Sequence, residues 1–215
     1  MSAPGQRALD AACEALSQAD PALAKAHKAI GRPIWRSAEP CYASIARTIA
    51  YQQISTAAAG TIWGRVCDDL GEITHSAVLA CTEDRLRAHG LSRPKIRHLM
   101  SIATAIETGA LDLDRVCKAD LDEARAELTA VKGIGPWTAE LFLLYAVGEM
   151  DAFPTADVGL MESHKLLSGA DVRMDPKAFT VHAESWRPYR GVAAHLLWGW
   201  INAERDKMRR ASPQP

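Results

Sequence analysis

Apolar residues along this chain recur at spacings of three and four, alanine is abundant, and alternating β-branched runs are missing. That period puts apolar side chains on one face of an α-helix and leaves no pattern for a half-buried strand. It predicts helices at roughly 6–18, 21–30, 41–50, 54–70, 83–89, 93–108, 120–128, 136–148, 157–167, 176–185 and 189–206. Breaks fall where turn chemistry concentrates: Asp20-Pro21, Gly31-Arg32-Pro33, Glu39-Pro40, Gly71, Gly90, Gly109, Gly133-Ile134-Gly135-Pro136, Phe153-Pro154 and Arg187-Pro188. The expected fold class is all-α, with no tandem repeat, low-complexity tract or long linker, and with fraying over Ala211–Pro215.

One helix pair carries the most information. Helix 120–128 has Leu121, Ala124 and Leu128 on one face. Helix 136–148 carries Trp137, Leu141, Leu144 and Gly148 on one stripe, widened by Ala139, Phe142, Leu143 and Tyr145, so it is buried on most sides. Between them, glycines at 133 and 135 permit φ > 0 and bring bare backbone close to whatever lies opposite. Pro136 suits the first turn of the second helix. A glycine turn feeding a helix N-terminus aims N–H groups and a positive dipole end outward, which suits an anion such as a nucleic-acid phosphate. Asp157 follows one helix and one turn later.

Composition narrows the class. With 215 residues and 48% hydrophobic content the chain has length for a real core, as one large or two small domains. Mean hydropathy is −0.11, no run approaches the ~18–20 apolar residues of a membrane span, and the N-terminus lacks the apolar core of a signal peptide; an intracellular, cytoplasmic protein is expected. Cys13, Cys41, Cys67, Cys81 and Cys117 are odd in number, scattered and without a CxxC pair. They read as ordinary buried thiols, not as a disulfide framework, a zinc site or an iron–sulfur site. The seven histidines show no metal-binding spacing. A net charge of −1 counts against a strongly electrostatic nucleic-acid binder. Charge is uneven, however: Arg85, Arg87, Arg93, Lys95 and Arg97 form a stretch without a carboxylate, and the C-terminal stretch is basic. These segments fit a modest basic face or an ordinary solvated helix surface.

Four segments carry a family resemblance. Leu128-x4-Gly133-Ile134-Gly135-x2-Thr138-Ala139 followed by Pro154-x2-Asp157 resembles the helix–hairpin–helix–Gly/Pro–Asp superfamily of DNA base-excision glycosylases. Ile49-Ala50-Tyr51-Gln52-Gln53-Ile54-Ser55 with Ala57-Ala58-Ala59 is similar to a helix entry of the DNA-3-methyladenine glycosylase II family. Gly90-Leu91-Ser92-x2-Lys95 and Trp186-Arg187-Pro188-Tyr189-Arg190-x2-Ala193-Ala194-His195-Leu196-Leu197-Trp198 resemble further segments of it, in the same order. The resemblance implies two helical subdomains around a cleft, one of about 1–40 plus 155–215 and one of about 41–154 carrying the hairpin 128–139. The Gln52-Gln53 segment arrives too early for the extra N-terminal domain of the long bacterial form, so a compact form is expected. No cysteine follows Cys117, which departs from the iron–sulfur branch, and no cofactor is expected. Bifunctional members carry a lysine two residues after the second hairpin glycine; here that slot is Trp137, so Schiff-base and lyase chemistry are not expected from it.

The resemblance also assigns roles, beside plainer readings of the same residues. From spacing alone Asp157 is an N-cap of helix 157–167, with Thr155 as rival; the resemblance makes it the catalytic carboxylate, and one residue can serve both ends. Trp137 and Trp198 read alone as core; the resemblance places them with Leu141 around the base, with Val158 where relatives can carry an aromatic residue. Gln53 reads as a polar helix-start residue or, by resemblance, as the wedge entering the duplex when a nucleotide flips out. Gly133, Gly135 and Thr138, with Lys132, are expected at phosphate, the Thr138 hydroxyl included, and such contacts weaken with salt. The carbonyls of Thr129, Val131 and Ile134 are expected to hold a structural Na+ or K+. The implied activity is monofunctional excision of alkylated purines, 3-methyladenine first and 7-methylguanine second, from damaged double-stranded DNA by a monomer. Another lesion such as hypoxanthine or a methylated cytosine, a non-catalytic DNA-binding module, and a purely structural helical domain are the alternatives.

Overall fold

A computed structural model describes residues 3–211, and among these there are helices and turns but no strand, as the spacing predicts. The chain forms two compact units. The first is Ala38–Val147; the second joins the chain up to Ser37 with the chain from Gly148 onward.

The first unit contains α3 (Tyr42–Tyr51), α4 (Thr56–Leu70), α5 (His75–Leu79), α6 (Glu83–Ala88), α7 (Arg93–Glu107), α8 (Leu113–Val116), α9 (Leu121–Ala130) and α10 (Pro136–Phe142). Helix α7 organises it. Ile96, Leu99, Ile102 and Ala103 repeat at helical spacing, are buried, and pack against α3, α5 and α6. Tyr42 of α3 donates to the Leu99 carbonyl at 3.0 Å, so the hydroxyl that enters this core keeps a partner. Two short helices, α5 and α8, are absent from the sequence-based prediction. Each is shorter than two turns and is held by its cap: Thr74 accepts from the Ala77 N–H, and Asp112 from the Asp114 and Arg115 N–H groups. Helix α10 ends at Phe142 and continues as a π-helical turn, Leu143–Val147, in place of the predicted α-helix to 148. In that wider turn the Tyr145 carbonyl accepts the Ala38 N–H at 2.8 Å, and Gly148 follows at φ +83°.

The second unit contains α1 (Gln6–Ala19), α2 (Pro21–Ile30), α11 (Val158–Ser168), α12 (Pro176–Ala183), a 3-10 turn (Glu184–Trp186) and α13 (Arg190–Ala211). Helix α13 extends beyond the predicted 206 and includes Ala211; the fraying expected over the last residues otherwise falls on 212–215, outside the described residues. Its first two turns, Arg190–Leu197, are buried on every side, with α1, α2 and α11 packed around them. Gly199 makes this possible, since an added Cβ would lie 2.6 Å from the Ile30 side chain of α2. The Cys13 thiol lies in this core, and burial, the largest effect, pushes its pKa up to about 11.

The start of α13 is pinned by charge. Arg190 is 5% exposed and forms a bidentate pair with Asp151, Nε to Oδ1 at 2.9 Å and Nη2 to Oδ2 at 2.8 Å. Glu184 takes its remaining Nη1 at 2.8 Å, and Arg187 also donates to Asp151. Removing Asp151 would leave a buried guanidinium short of its anion. Asp151→Ala is expected to lower unfolding stability by about 3–5 kcal/mol in urea titrations, whereas Glu204→Ala, at an exposed pair, should change it by less than about 1 kcal/mol.

Candidate functional site

The hairpin lies wholly in the first unit. Arg125 of α9 grips Glu140 of α10 with two nitrogens, at 2.5 and 3.3 Å, and fixes the two helices against each other. Between them the Ile134 N–H donates to the Val131 carbonyl at 3.0 Å, and the Ile134 side chain is buried. Gly133 has φ +106°, and an added Cβ would lie 2.7 Å from His98 Cβ on α7, so both conformation and close approach require glycine there. Gly135 differs from expectation. Its φ is −84°, ordinary extended backbone at the N-cap of α10, and an added Cβ would meet nothing within 4 Å. The turn needs only one left-handed residue; the second glycine leaves the helix entrance bare. No side chain caps α10, Pro136 occupies its first position, and Lys132 is exposed beside it.

The Thr138 hydroxyl already has a partner within the first unit. Thr138 is 1% exposed and its Oγ1 accepts from Gln52 Nε2 at 2.9 Å. It serves the neighbouring turn. Lys95 supports the same turn by donating to the Ala50 carbonyl at 2.8 Å, near the end of α3. Between these anchors Gln53 is exposed and has φ +58°, the one non-glycine residue with positive φ among those described. A glutamine held in that region costs free energy and persists only where its surroundings fix it. Trp137 is half-buried on α10, and Leu141, one turn on, is buried. Part of the basic stretch is consumed locally: Arg85 pairs with Asp69 and Arg93 with Glu83, while Lys95 is turned onto backbone.

The second unit holds Asp157. The turn into it closes with its N–H on the Pro154 carbonyl at 2.9 Å. Asp157 then caps α11, its Oδ1 accepting the Leu160 N–H at 3.0 Å, so Asp157 and not Thr155 is the cap. The same oxygen accepts the indole N–H of Trp198 at 3.2 Å. Gly159 accommodates the carboxylate, since a Cβ there would lie 3.0 Å from Oδ1 and 3.7 Å from the indole. Val158 is 58% exposed.

Trp198 belongs to a short aromatic series that sequence reasoning did not find. His195 meets Trp198 edge-on with centroids 6.0 Å apart, and Trp35 stacks on His195 at 4.2 Å with rings 17° from parallel. The signal for His195 was present, three residues before Trp198 on one helix; Trp35 lies in a loop and gave none. A cavity of about 330 Å³ opens beside them, lined among others by Ile30, Arg32, Arg36, Trp198 and Asn202, at the small end of ligand-site volumes. The Trp35 indole N–H is buried without a hydrogen-bond partner among the described residues.

A helical fold with a helix–hairpin–helix and an aspartate capping the helix after the next turn defines a class of DNA-repair architecture. The family model for the HhH-GPD superfamily base excision DNA repair protein matches residues 46–188, and the chain belongs to that family. It is 35% identical over 204 residues to the probable bifunctional transcriptional activator/DNA repair enzyme AlkA of Mycobacterium tuberculosis, a match covering 88% of this chain and 40% of that protein. The chain therefore spans well under half the length of that relative. It is 30% identical over 165 residues to DNA-3-methyladenine glycosylase 1 of Schizosaccharomyces pombe, covering 73% of this chain and 71% of that one. Among solved structures, DNA-3-methyladenine glycosidase from Bacillus halodurans matches with TM-score 0.73 at 30% identity, over 90% of this chain and 89% of that one. The S. pombe 3-methyladenine DNA glycosylase in complex with abasic DNA matches with TM-score 0.79 at 29% identity, over 87% and 94%.

His195 has a consequence for acid stability. Its Nδ1–H donates to the Gly191 carbonyl at 2.8 Å and its Nε2 accepts the Arg36 N–H at 3.2 Å, so the neutral ring suits its two nitrogens. Burial, the largest effect, lowers its pKa from 6.5 to about 4; the Gly191 bond opposes the shift and Arg36 adds to it. The unfolded ring takes up its proton first as pH falls, so stability is full above about 6.5 and is lost on the way to 4. That loss is on the order of 3 kcal/mol. Unfolding titrations between pH 7 and pH 4 should show a flatter profile for His195→Gln than for the parent; parallel profiles would contradict the assignment.

Proposed function

We propose that this chain is a monofunctional DNA glycosylase that releases alkylated purines from double-stranded DNA, with 3-methyladenine its first substrate and 7-methylguanine its second. The single observation carrying the reading is the Asp157 carboxylate, held at the start of α11 by the Leu160 N–H and the Trp198 indole. Family membership and the names of the relatives support it.

Cleavage of an N-glycosidic bond develops positive charge on the deoxyribose. An anion fixed in advance stabilises that charge as it forms, lowers the barrier, and is placed to orient or deprotonate water. Trp137 stands where bifunctional relatives carry lysine, so this position supplies no amine to attack the sugar. By the family resemblance, Trp137 and Leu141 on the first unit and Trp198 on the second are each assigned to contact with the base, and each brings apolar or indole surface. A purine methylated at N3 or N7 is cationic, and cation–π attraction adds about 0.5–2 kcal/mol of preference for it. Such a base also leaves more readily than a neutral one. Gln53 fills the gap in the duplex, because its amide can hydrogen-bond the orphaned base where an apolar wedge would only occupy space.

The bare entrance of α10 at Gly135, with the Gly133 turn and Lys132, binds backbone phosphate and positions the strand without reading sequence. The carbonyls of Thr129, Val131 and Ile134 are neutral hard donors, a set that fits Na+ or K+ as a structural ion; Val131 keeps one lone pair after accepting the Ile134 N–H. No helix among the described residues is long and apolar enough to cross a membrane. The reading places a monomer in the cytoplasm at the nucleoid.

The test is base release from a panel of lesion-containing duplexes. Free 3-methyladenine without a strand nick is expected, and Asp157→Asn should retain duplex binding while losing roughly a hundredfold or more in release. Near-normal turnover by Asp157→Asn would remove the carboxylate from the mechanism, and release of hypoxanthine alone would move the substrate. Gly135→Asp, which puts negative charge into open space without disturbing a neighbour, should weaken duplex affinity at least tenfold with the melting temperature unchanged; unaltered affinity would move the phosphate site elsewhere.

A further inference from the structure

A second polar cluster lies in the same unit as Asp157 and takes no part in the chemistry above. Asp20 joins α1 to α2 and caps α2, its Oδ1 accepting the Ala22 N–H at 2.7 Å. Three nitrogen atoms converge on its other oxygen: His164 Nε2 of α11 at 3.2 Å, His182 Nε2 of α12 at 2.9 Å, and Trp186 Nε1 of the 3-10 turn at 3.0 Å. Asp20 and His164 are 5% and 4% exposed, whereas the His182 side chain is 35% exposed and opens the cluster to solvent. Aromatic rings wall the rest: Phe179 beside His164 at 5.8 Å and Trp186 edge-on to His182 at 5.2 Å.

One carboxylate oxygen has about two lone pairs, fewer than the three nitrogens aimed at it. The indole is an obligate donor. Each imidazole, by contrast, presents a lone pair at Nε2 once its proton sits on Nδ1, and two such nitrogens beside a carboxylate oxygen form a metal-binding donor set. All three candidate donor atoms lie within 4.8 Å of one another. Ligands at about 2.0–2.2 Å from a tetrahedral ion stand roughly 3.3 Å apart, close to the two separations already present. The Trp186 and Ala22 N–H groups would orient the carboxylate behind the ion, the role that outer hydrogen bonds play at metal sites.

We propose that Asp20, His164 and His182 bind one divalent transition-metal ion, zinc or a close substitute, with solvent completing its coordination on the His182 side. Two imidazoles and a carboxylate suit such an ion better than Mg2+ or Ca2+, which prefer oxygen alone. The ion ties together three segments separated by 144 and 162 residues from Asp20, so it stabilises the unit. His164 also lies two turns along α11 from Asp157, about 10 Å, so the ion stiffens the helix carrying that carboxylate without approaching it.

The experiment uses the full chain, stripped with chelator and titrated with Co2+ and then Zn2+. One Co2+ per chain with visible absorption of tetrahedral intensity is expected, displaced by Zn2+. The melting temperature should rise by roughly 5–10 °C at a hundredfold excess of Zn2+ over its dissociation constant. His182→Gln, at the exposed edge of the cluster, should retain its circular dichroism and lose both signals, while His75→Gln, on the first unit, should lose neither. Absence of Co2+ absorption with the parent chain, or retention of both signals by the His182→Gln and His164→Gln double variant, would overturn the site and leave a hydrogen-bonded cluster only.

Discussion

Two hydrogen bonds on one oxygen of Asp157 set the demands on the rest of the second unit. The Leu160 N–H comes from the first turn of α11 and the Trp198 indole from the middle of α13, so the carboxylate is fixed only if those helices keep their spacing. That spacing depends on small residues. Gly159 leaves room for the carboxylate itself, Ala193 and Ala194 are wholly buried in α13, and Gly199 lets α2 approach. At the head of α13 the Arg190–Asp151 pair fixes where the helix begins and so the register at which Trp198 arrives. Side chains that would never touch DNA thus determine where the anion stands.

The first unit solves the converse problem, presenting main chain instead of a side chain. A bare helix entrance at Gly135 binds an anion well only if the turn before it does not move, because hydrogen-bond geometry narrows with distance and angle. Buried Ile134, the Gly133 contact with His98 and the Arg125–Glu140 clamp supply that rigidity. Gln53 follows the same logic. Its left-handed backbone is flanked by Gln52, held on Thr138, and follows the end of α3, held by Lys95. The conformational cost is carried by neighbours whose own polar groups are satisfied.

How far the sequence revealed this follows from the range of each interaction. Helices of ten residues or more were legible from their period, and Asp157 as a cap was legible because capping acts over three residues. Helices α5 and α8 were missed because four or five residues hold too little of a period to detect. Helix position alone does not reveal that the Thr138 hydroxyl accepts from Gln52, 86 residues earlier in the chain. Of the two properties the sequence offers at Gly135, freedom at positive φ and bare backbone, the structure uses no positive φ there and leaves the space of a side chain open. The Asp20, His164 and His182 cluster was invisible to a search for metal-ligand spacing, since its members come from three helical segments far apart in the chain.

The charge distribution bears on how such a molecule holds an anionic polymer. Salt dependence scales with the number of phosphates neutralised by cations. Several basic side chains here are already neutralised: Arg85 by Asp69, Arg115 by Glu127, Arg187 and Arg190 by Asp151 and Glu184. An N–H group at a helix entrance brings only a partial charge and displaces few counterions, but it is directional. On the proposed reading, a chain of net charge −1 that relied on such groups would give up long-range attraction for positional accuracy. If the proposed hydrolysis of one bond in one nucleotide holds, accuracy has the greater effect, because a fixed anion displaced by an ångström from developing charge loses much of its influence on the barrier.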